Sequence, residues 1–258
     1  MQTLAMTPQK LPLYLQISEL ITREIAAGHW HAGERLPAES DLAISLNVAV
    51  GTLRKSLSEL QTRGLLERRQ GSGTYVSNKI DKHAGDFGES NKSIYEFFRL
   101  ELLAGGGLPT ALILDVQCIN TPEHVPHFGP KRAAKKPAKT MCYRIRRLRL
   151  LNNLPIALEE IYFDKRHAAS LRLQDFNEAL YVFYQQRFGF WISNVEDRIG
   201  LGKVPSWAAD LRPALFGLAA GDVCPHIERW STSNAHQIEE YSTTWFDPAV
   251  ARYVNRLR

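Results

Sequence analysis

"LPAESDLAISLNVAVGTLRKSL", residues 36–57, decides how the first third of this chain is read. Leu42 and Leu46 recur at the spacing of one helix, and Leu53 and Leu57 at the spacing of another. The "NVAV" between them is too short for a loop and too abrupt for one continuous helix. The pattern predicts a short helix over 39–46 and a second over 50–63, ended by Gly64. Asn47 suits the left-handed exit between them.

Working outward, "LPLYLQISELITREIAAGHW" puts Leu13, Ile17, Leu20, Ile21 and Ile25 on one helical stripe that stops at Gly28. "HAGERLP" is a turn-rich connector. On the far side, "LLERRQGSGTYVSN" predicts a β-hairpin, with strands over 65–69 and 74–77 and a glycine-bearing tip. Two short helices meeting at a steep angle make a helix-turn-helix. Its second helix protrudes, so Val50, Gly51, Thr52, Arg54 and Lys55 can enter a DNA major groove. The hairpin, with Arg68, Arg69, Gln70, Gly71 and Ser72 at its tip, is placed to lie along the phosphate backbone. Any one of these motifs fits an ordinary helical hairpin; the ordered set within residues 11–77 is far more specific.

The bulk numbers agree. The 258 residues allow one large domain or two modest ones, and 44% hydrophobic content describes a folding chain. No apolar run approaches the ~20 residues of a membrane span, and the N-terminus lacks a signal-peptide core. Cys118, Cys142 and Cys224 are odd in number and far apart, which argues for reduced thiols in a cytoplasmic protein. The net charge of +5 is unevenly spread. Residues 54–79 hold six basic side chains against two acidic, and residues 131–149 hold nine and none. Such clusters suit anionic partners, although each alone also fits a solvated face.

The N-terminal segment resembles the winged helix-turn-helix of the GntR family of bacterial transcription regulators. The shared features are the "PLYLQI" opening, "GERLP", the "LA" of the second helix, "TLR" of the third and the "GSGTYV" wing. The family usually has serine where Ala38 and Ala49 stand, and arginine where Val50 stands. The resemblance makes Arg54 the best candidate for a guanine or phosphate contact, with Val50 and Gly51 offering apolar contact and close approach, as to a thymine methyl.

A polar, glycine-bearing stretch over 78–92 reads as a linker. Beyond it, helices are predicted over 93–104, 175–189 and 205–217, and a strand over 110–120. Hairpins are predicted from "TMCYRIRRLRLLNNLPIALEEIYF", turning at Asn152–Asn153, and from "VCPHIERWSTSNAHQIEEYSTTWF"; "WISNVEDRIGLG" is a further strand. Antiparallel hairpins with interspersed helices predict an α+β fold. In "YRIRRLRL", Arg144, Arg146 and Leu148 share one face, and Ile145, Arg147 and Arg149 the other. One arginine set is expected to be solvated and the other to line a polar cavity near Glu159 and Glu240. Structural ion pairs are the competing reading of those arginines.

Residues 93–250 resemble the UTRA effector-binding module of HutC-type GntR regulators, related in fold to chorismate lyase. The carriers are "RIRRLRLLNNLPIALEE", "ALYVFYQQRFG" and "IEEYSTTWF". The resemblance implies effector contacts at Arg147, Arg149, Glu159, Tyr181, Glu240 and Phe246. Ala179 and Phe246 stand where sugar-phosphate-sensing relatives carry hydroxyls. The expectation is a homodimer on two-fold-related DNA half-sites, released by a small anionic effector such as a sugar phosphate, phosphonate or carboxylate. No cofactor, metal or membrane partner is expected. The runner-up is a lyase or hydrolase domain of chorismate-lyase type fused to a DNA reader, and a third reading is a scaffold using the winged helix for protein contact. No P-loop, GxSxG or HExxH motif supports an enzyme. Pro126 spoils His124 and His127 as a rigid metal pair, and Cys142 beside the arginines is either a low-pKa thiol or, the commoner case, simply a small buried residue.

Overall fold

Pro12 presets the backbone for α1 (Leu13–Ala27), which Gly28 ends in the left-handed region at φ 87°. The structure, a computed structural model, describes residues 11–78, 97–130, 140–176, 179–211 and 216–256. α2 (Glu39–Ser45) and α3 (Val50–Thr62) follow as the leucine spacing predicts. Asn47 makes the corner at φ 52°, and Val48 N–H closes it on Ala43 O at 2.9 Å. Neither Ala38 nor Ala49 supplies a side-chain cap, a loss of ~1 kcal/mol per helix. Glu39 and Asp41 in the first turn of α2 offset part of that through the helix dipole.

The predicted core forms. Ile17, Ile21, Leu42, Leu53, Leu57 and Leu60 pack with Leu36, Leu66 and Val76. Each leucine so buried contributes about 1.5–3 kcal/mol. Leu13 departs from the expected stripe and stands exposed. The wing is β1 (Leu66–Arg69) against β2 (Gly73–Val76), in register from Leu66 opposite Val76 to Arg69 opposite Gly73.

Contacts divide the chain into one unit of residues 11–109 with 253–258 and another of 110–252. In the first, Leu100–Leu102 is a strand, β3, where a helix was expected over 93–104; residues 93–96 lie outside the described residues. The cause is tertiary. Arg23 of α1 is buried and donates to the carbonyls of Phe98 (3.3 Å), Leu100 (2.5 Å) and Gly107 (2.8 Å), holding that backbone extended.

The second unit is built on one antiparallel sheet. Its strands are β4 (Pro109–Asn120), β5 (Gly129–Pro130), β6 (Met141–Leu151), β7 (Leu154–Asp164), β8 (Ile192–Lys203), β9 (Val223–Ser233) and β10 (Gln237–Phe246). The order is β4-β6-β7-β10-β9-β8, with β5 pairing β10. Asn152 and Asn153 turn the first hairpin at φ 49° and 64°, the paired positive values of a two-residue hairpin loop. α4 (Leu180–Phe188) covers part of one face; the predicted helix was longer, and residues 177–178 lie outside the described residues. The helix expected over 205–217 is instead a 3₁₀ turn, Ser206–Asp210, among the described residues. Pro213 is a poor residue for a helix interior. The α+β architecture is as expected from the hairpin pattern.

Candidate functional site

Two places gather polar chemistry. The first is a cleft of about 890 Å³ in the winged helix, lined by Arg35, Glu39, Val50, Arg54, Arg68, Arg69, Gln70 and Gly71 among others. Arg54 Nε donates to Glu39 Oε2 at 2.6 Å, and Arg68 Nη2 lies 3.6 Å from Glu39 Oε1. Both arginine side chains stay about two-thirds exposed (65% and 67%). Exposed pairs of this kind are worth ~0–1 kcal/mol, so a phosphate can compete for either guanidinium. In the wing, Arg69 stacks over Tyr75 at 4.1 Å, and the Ser72 hydroxyl lies 2.7 Å from that of Tyr75. Gly71 turns the tip at φ 70°.

The other groove candidates are placed differently. Gly51 is exposed, and a Cβ there would meet nothing. Thr52 is half-buried. Lys55 Nζ sits 3.9 Å from the Tyr14 ring centroid, a cation–π contact that draws it toward α1. Sequence reasoning missed Arg35 and Glu39. Glu39 has its basic partners 15 and 29 positions away, and no local pattern signals that.

The second place is a buried polar trough on one face of the sheet. Register carries four rows across it. Arg149 stands opposite Ala157, and that opposite Phe246; Arg147 aligns with Glu159 and Thr244. Ile161, Ser242, Arg229 and Asp197 form the third row, and Phe163, Glu240 and Ser231 the fourth. Arg147, Arg149, Glu240 and Phe246 are all buried. Arg147 donates to Glu159 through Nε (2.9 Å) and Nη2 (2.5 Å), and Arg149 Nη1 lies 3.9 Å from the same carboxylate. Arg229 and Asp197 form a two-pronged pair at 2.6 and 2.7 Å. From α4, Tyr184 OH donates to Glu240 at 2.6 Å, and Tyr181 OH meets Ser231 Oγ at 2.9 Å and Glu240 at 3.4 Å.

Tyr181 and Glu240 therefore meet at one end, while Phe246 lies six residues along the strand, ~20 Å by the rise per residue. Arg147, Arg149 and Glu159 occupy the Phe246 side. Arg229, Asp197, Ser231 and Tyr184 were not among the expected site residues. The period-two alternation that sorted Arg147 from Arg146 also puts Arg229 with Asp197 on this face, once the β8–β9 register is known.

Burial pulls against charge here, and the two carboxyls end on opposite sides. At Glu159 burial alone raises the pKa, but Arg147 and Arg149 outweigh it and the net shift is downward. At Glu240 burial dominates, the Tyr184 hydrogen bond only partly opposes it, and the net shift is upward. Burial would lower the Arg229 pKa, yet the Asp197 carboxylate more than restores it and holds the guanidinium charged. The trough thus sets three guanidiniums on two strands beside the Glu159 and Asp197 carboxylates and the proton-favouring Glu240 carboxyl, a setting suited to a small anion with hydroxyl groups.

The reverse face carries Arg144 and Arg146, paired with Asp115 (3.0 Å) and Glu160 (2.6 Å). Cys142 is not a low-pKa thiol: burial pushes it up to about 11. Among the described residues no three His, Cys, Asp or Glu side chains converge as metal ligands, and His124 packs edge-on to Tyr162 at 5.6 Å.

A winged-helix reader followed by an antiparallel α+β domain with a buried polar trough defines a class of ligand-binding DNA regulators. The comparisons with known proteins agree. Residues 13–76 match the family model "Bacterial regulatory proteins, gntR family", and residues 131–250 match the UTRA domain. The HTH-type transcriptional regulator SmoD of Agrobacterium fabrum is 46% identical over 98% of this chain and 99% of its own. The transcriptional repressor NagR of Bacillus subtilis is 26% identical over 82% of this chain and 80% of its own. A ligand-binding domain of a GntR-family regulator from Bordetella bronchiseptica shares the fold, at TM-score 0.53 and 20% identity, covering 64% of this chain and all but 1% of that one (99%). The chain belongs to the GntR family, in its UTRA-bearing, HutC-type branch. It is a DNA-binding transcription regulator with an effector domain, and the lyase reading is not favoured.

Proposed function

We propose that this chain is a repressor that binds a two-fold operator as a homodimer in the cytoplasm and leaves it when a small anionic metabolite enters the trough. In this reading residues 11–77 are the DNA-binding domain, 78–92 the connector and 93–250 the effector domain. The observation that carries it is the pairing of an exposed, loosely held arginine cleft with a separate buried arginine trough in one chain.

Arg54 and Val50 at the start of α3 read bases, with Gly51 and Thr52 beside them. Arg68, Arg69, Gln70, Gly71 and Ser72 of the wing, with Lys55, hold phosphates and set position. Arg147 and Arg149 fork onto the acidic group of the effector, with Glu159 orienting them. Tyr181 and Glu240 take its polar end, and Phe246 closes the Arg149 side. Ala179 and Phe246 offer no hydroxyls, so the effector need not be the sugar phosphate that hydroxyl-bearing pockets take. A sugar phosphate of another shape, a phosphonate or a carboxylate fits. Binding alone does the work, without turnover, cofactor or metal. Effector occupancy favours a domain arrangement that no longer matches the half-sites, a coupling of two sites through a shift of populations.

The test is fluorescence anisotropy on labelled duplex from the upstream region of the chain's own gene. Tight, salt-steep binding that Arg54→Ala weakens is expected. A screen of small acids then seeks one that releases the DNA, and Arg147→Ala should abolish that release while leaving DNA binding nearly intact. Binding indifferent to sequence and to Arg54 sinks the operator reading.

A further inference from the structure

The stretch before α2 belongs to the wing as much as to the helices. Gly33 N–H donates to Val76 O, Val76 N–H to Glu34 O and Leu36 N–H to Thr74 O, at 2.9, 2.8 and 2.9 Å. Pro37 disfavours a helical Leu36, so residues 33–36 run extended along the edge of β2 that β1 leaves open. Arg35 bridges Tyr75 in that pairing, which puts the two side chains on one face. Arg69 lies on the same face, over the Tyr75 ring.

Gly73 gives that face its opening. A Cβ there would stand 2.9 Å from Arg35 Nε and 3.3 Å from Arg35 Nη2. Any side chain added at 73 pushes the guanidinium aside. Arg35 is thus fixed at its backbone by the wing, and its head occupies a slot that glycine leaves.

Its charge is the uncommitted one. Arg35, Arg54, Arg68 and Arg69 line the cleft with Glu39. Arg54 and Arg68 share that carboxylate, and Arg69 has the Tyr75 ring and, at 3.9 Å, Glu67. Arg35 is exposed and makes no ion pair among the described residues. An arginine held by a carboxylate must release it to take a phosphate, whereas Arg35 releases only water. We infer that Arg35 is a phosphate anchor of the DNA reader, outside both α3 and the wing tip. Its planar fork takes two oxygens of one phosphate and fixes the wing on the duplex without reading bases. The inference rests on the DNA-binding role of the family and adds a contact to it.

The test is fluorescence anisotropy of the full chain on two labelled duplexes, one from its upstream region and one of the same composition scrambled. Arg35→Ala should weaken binding to both by one factor and lower the log–log salt slope by ~0.9, the share of one phosphate. The loss should therefore be about 2.7 times larger at about 50 mM than at about 150 mM salt. Arg35→Gln, which keeps most of the stem, should act alike, and Arg35→Lys should restore most of the slope. Arg68→Ala should lower the slope less, because Glu39 already shares that guanidinium. Arg54→Ala should instead lower the ratio of upstream to scrambled affinity. Arg35 variants that keep the natural slope on both duplexes overturn the anchor and leave the DNA reader standing. A loss confined to one duplex, which lysine does not rescue, makes Arg35 a reader of bases and overturns the phosphate assignment. A natural chain that binds neither duplex removes the DNA reader itself.

Discussion

Exchanging Arg147 for methionine keeps the length of the side chain and removes its charge. Glu159 then loses both donors of its closest partner and keeps Arg149, at 3.9 Å, and the more distant charge of Arg229. Stranding a buried charge by removing its partner costs ~3–5 kcal/mol. The remaining guanidinium places this case near the lower end, about 3 kcal/mol. At ~2–4 °C per kcal/mol for a domain of this size, the effector domain should melt about 6–12 °C lower. Urea unfolding followed by tyrosine and tryptophan fluorescence measures the same quantity at fixed temperature. Acid supplies an internal check. Glu159 is held below its ordinary pKa, so its stabilisation is present above the ordinary carboxyl value and is lost as pH falls through the shifted one. In the Arg147→Met chain the largest lowering charge is gone and burial weighs more against Arg149 and Arg229, so moving from about pH 7 to about pH 5 should shrink the deficit. Arg147→Met with Glu159→Gln should recover part of the loss, since the amide removes the stranded charge while its oxygen still faces Arg149. A deficit under about 1 kcal/mol, or one indifferent to both acid and the second substitution, would refute the reasoning.

Glu39→Gln frees Arg54 and Arg68 from their shared carboxylate; non-specific DNA binding should tighten and its log–log salt slope steepen by up to ~0.9 per guanidinium newly on a phosphate. An unchanged slope means that the carboxylate does not compete with DNA. Tyr184→Phe leaves Glu240 without its 2.6 Å donor and should cost about 1–3 kcal/mol in urea unfolding, the range for a buried polar group that loses its partner. Glu240→Gln tests the opposite sign of pH dependence. The Glu240 carboxyl is raised by burial, so the folded chain holds its proton longer and stability falls as pH climbs from the ordinary to the shifted value. The glutamine chain should lack that part of the decline, and identical pH–stability curves would count against a buried, proton-favouring Glu240.

The winged helix was readable because its signals are local. Leucines at helical spacing, Asn47 at the corner and the glycine tip of the wing each act within a few residues of themselves. The arginine-bearing hairpin was readable for the same reason: alternation alone sorts Arg147 and Arg149 from Arg144 and Arg146. What escaped depends on partners far along the chain. "RLELLA" has helical periodicity, yet Arg23, 77 residues away, binds the Leu100 carbonyl within it and the Phe98 and Gly107 carbonyls on either side. Arg229 and Asp197 meet only through the β8–β9 register, and Tyr184 reaches Glu240 across 56 positions.

The Arg23 clamp has a consequence for how this protein tolerates change. All three of its acceptors are main-chain carbonyls, at Phe98, Leu100 and Gly107, and every amino acid offers one. The hydrogen bonds are therefore encoded on one side only, and the Phe98 ring, 5.1 Å from the guanidinium, is the side chain that adds to them. In a saturation library, position 23 should reject nearly every substitution, lysine included, because a single ammonium does not span three divergent oxygens as a planar fork does. Position 98 should prefer an aromatic ring and position 100, which is buried, an apolar side chain, but neither substitution removes an acceptor unless proline breaks the extended backbone. A lineage could rewrite the exposed positions of that arm while its anchor stayed fixed on a helix of the DNA reader.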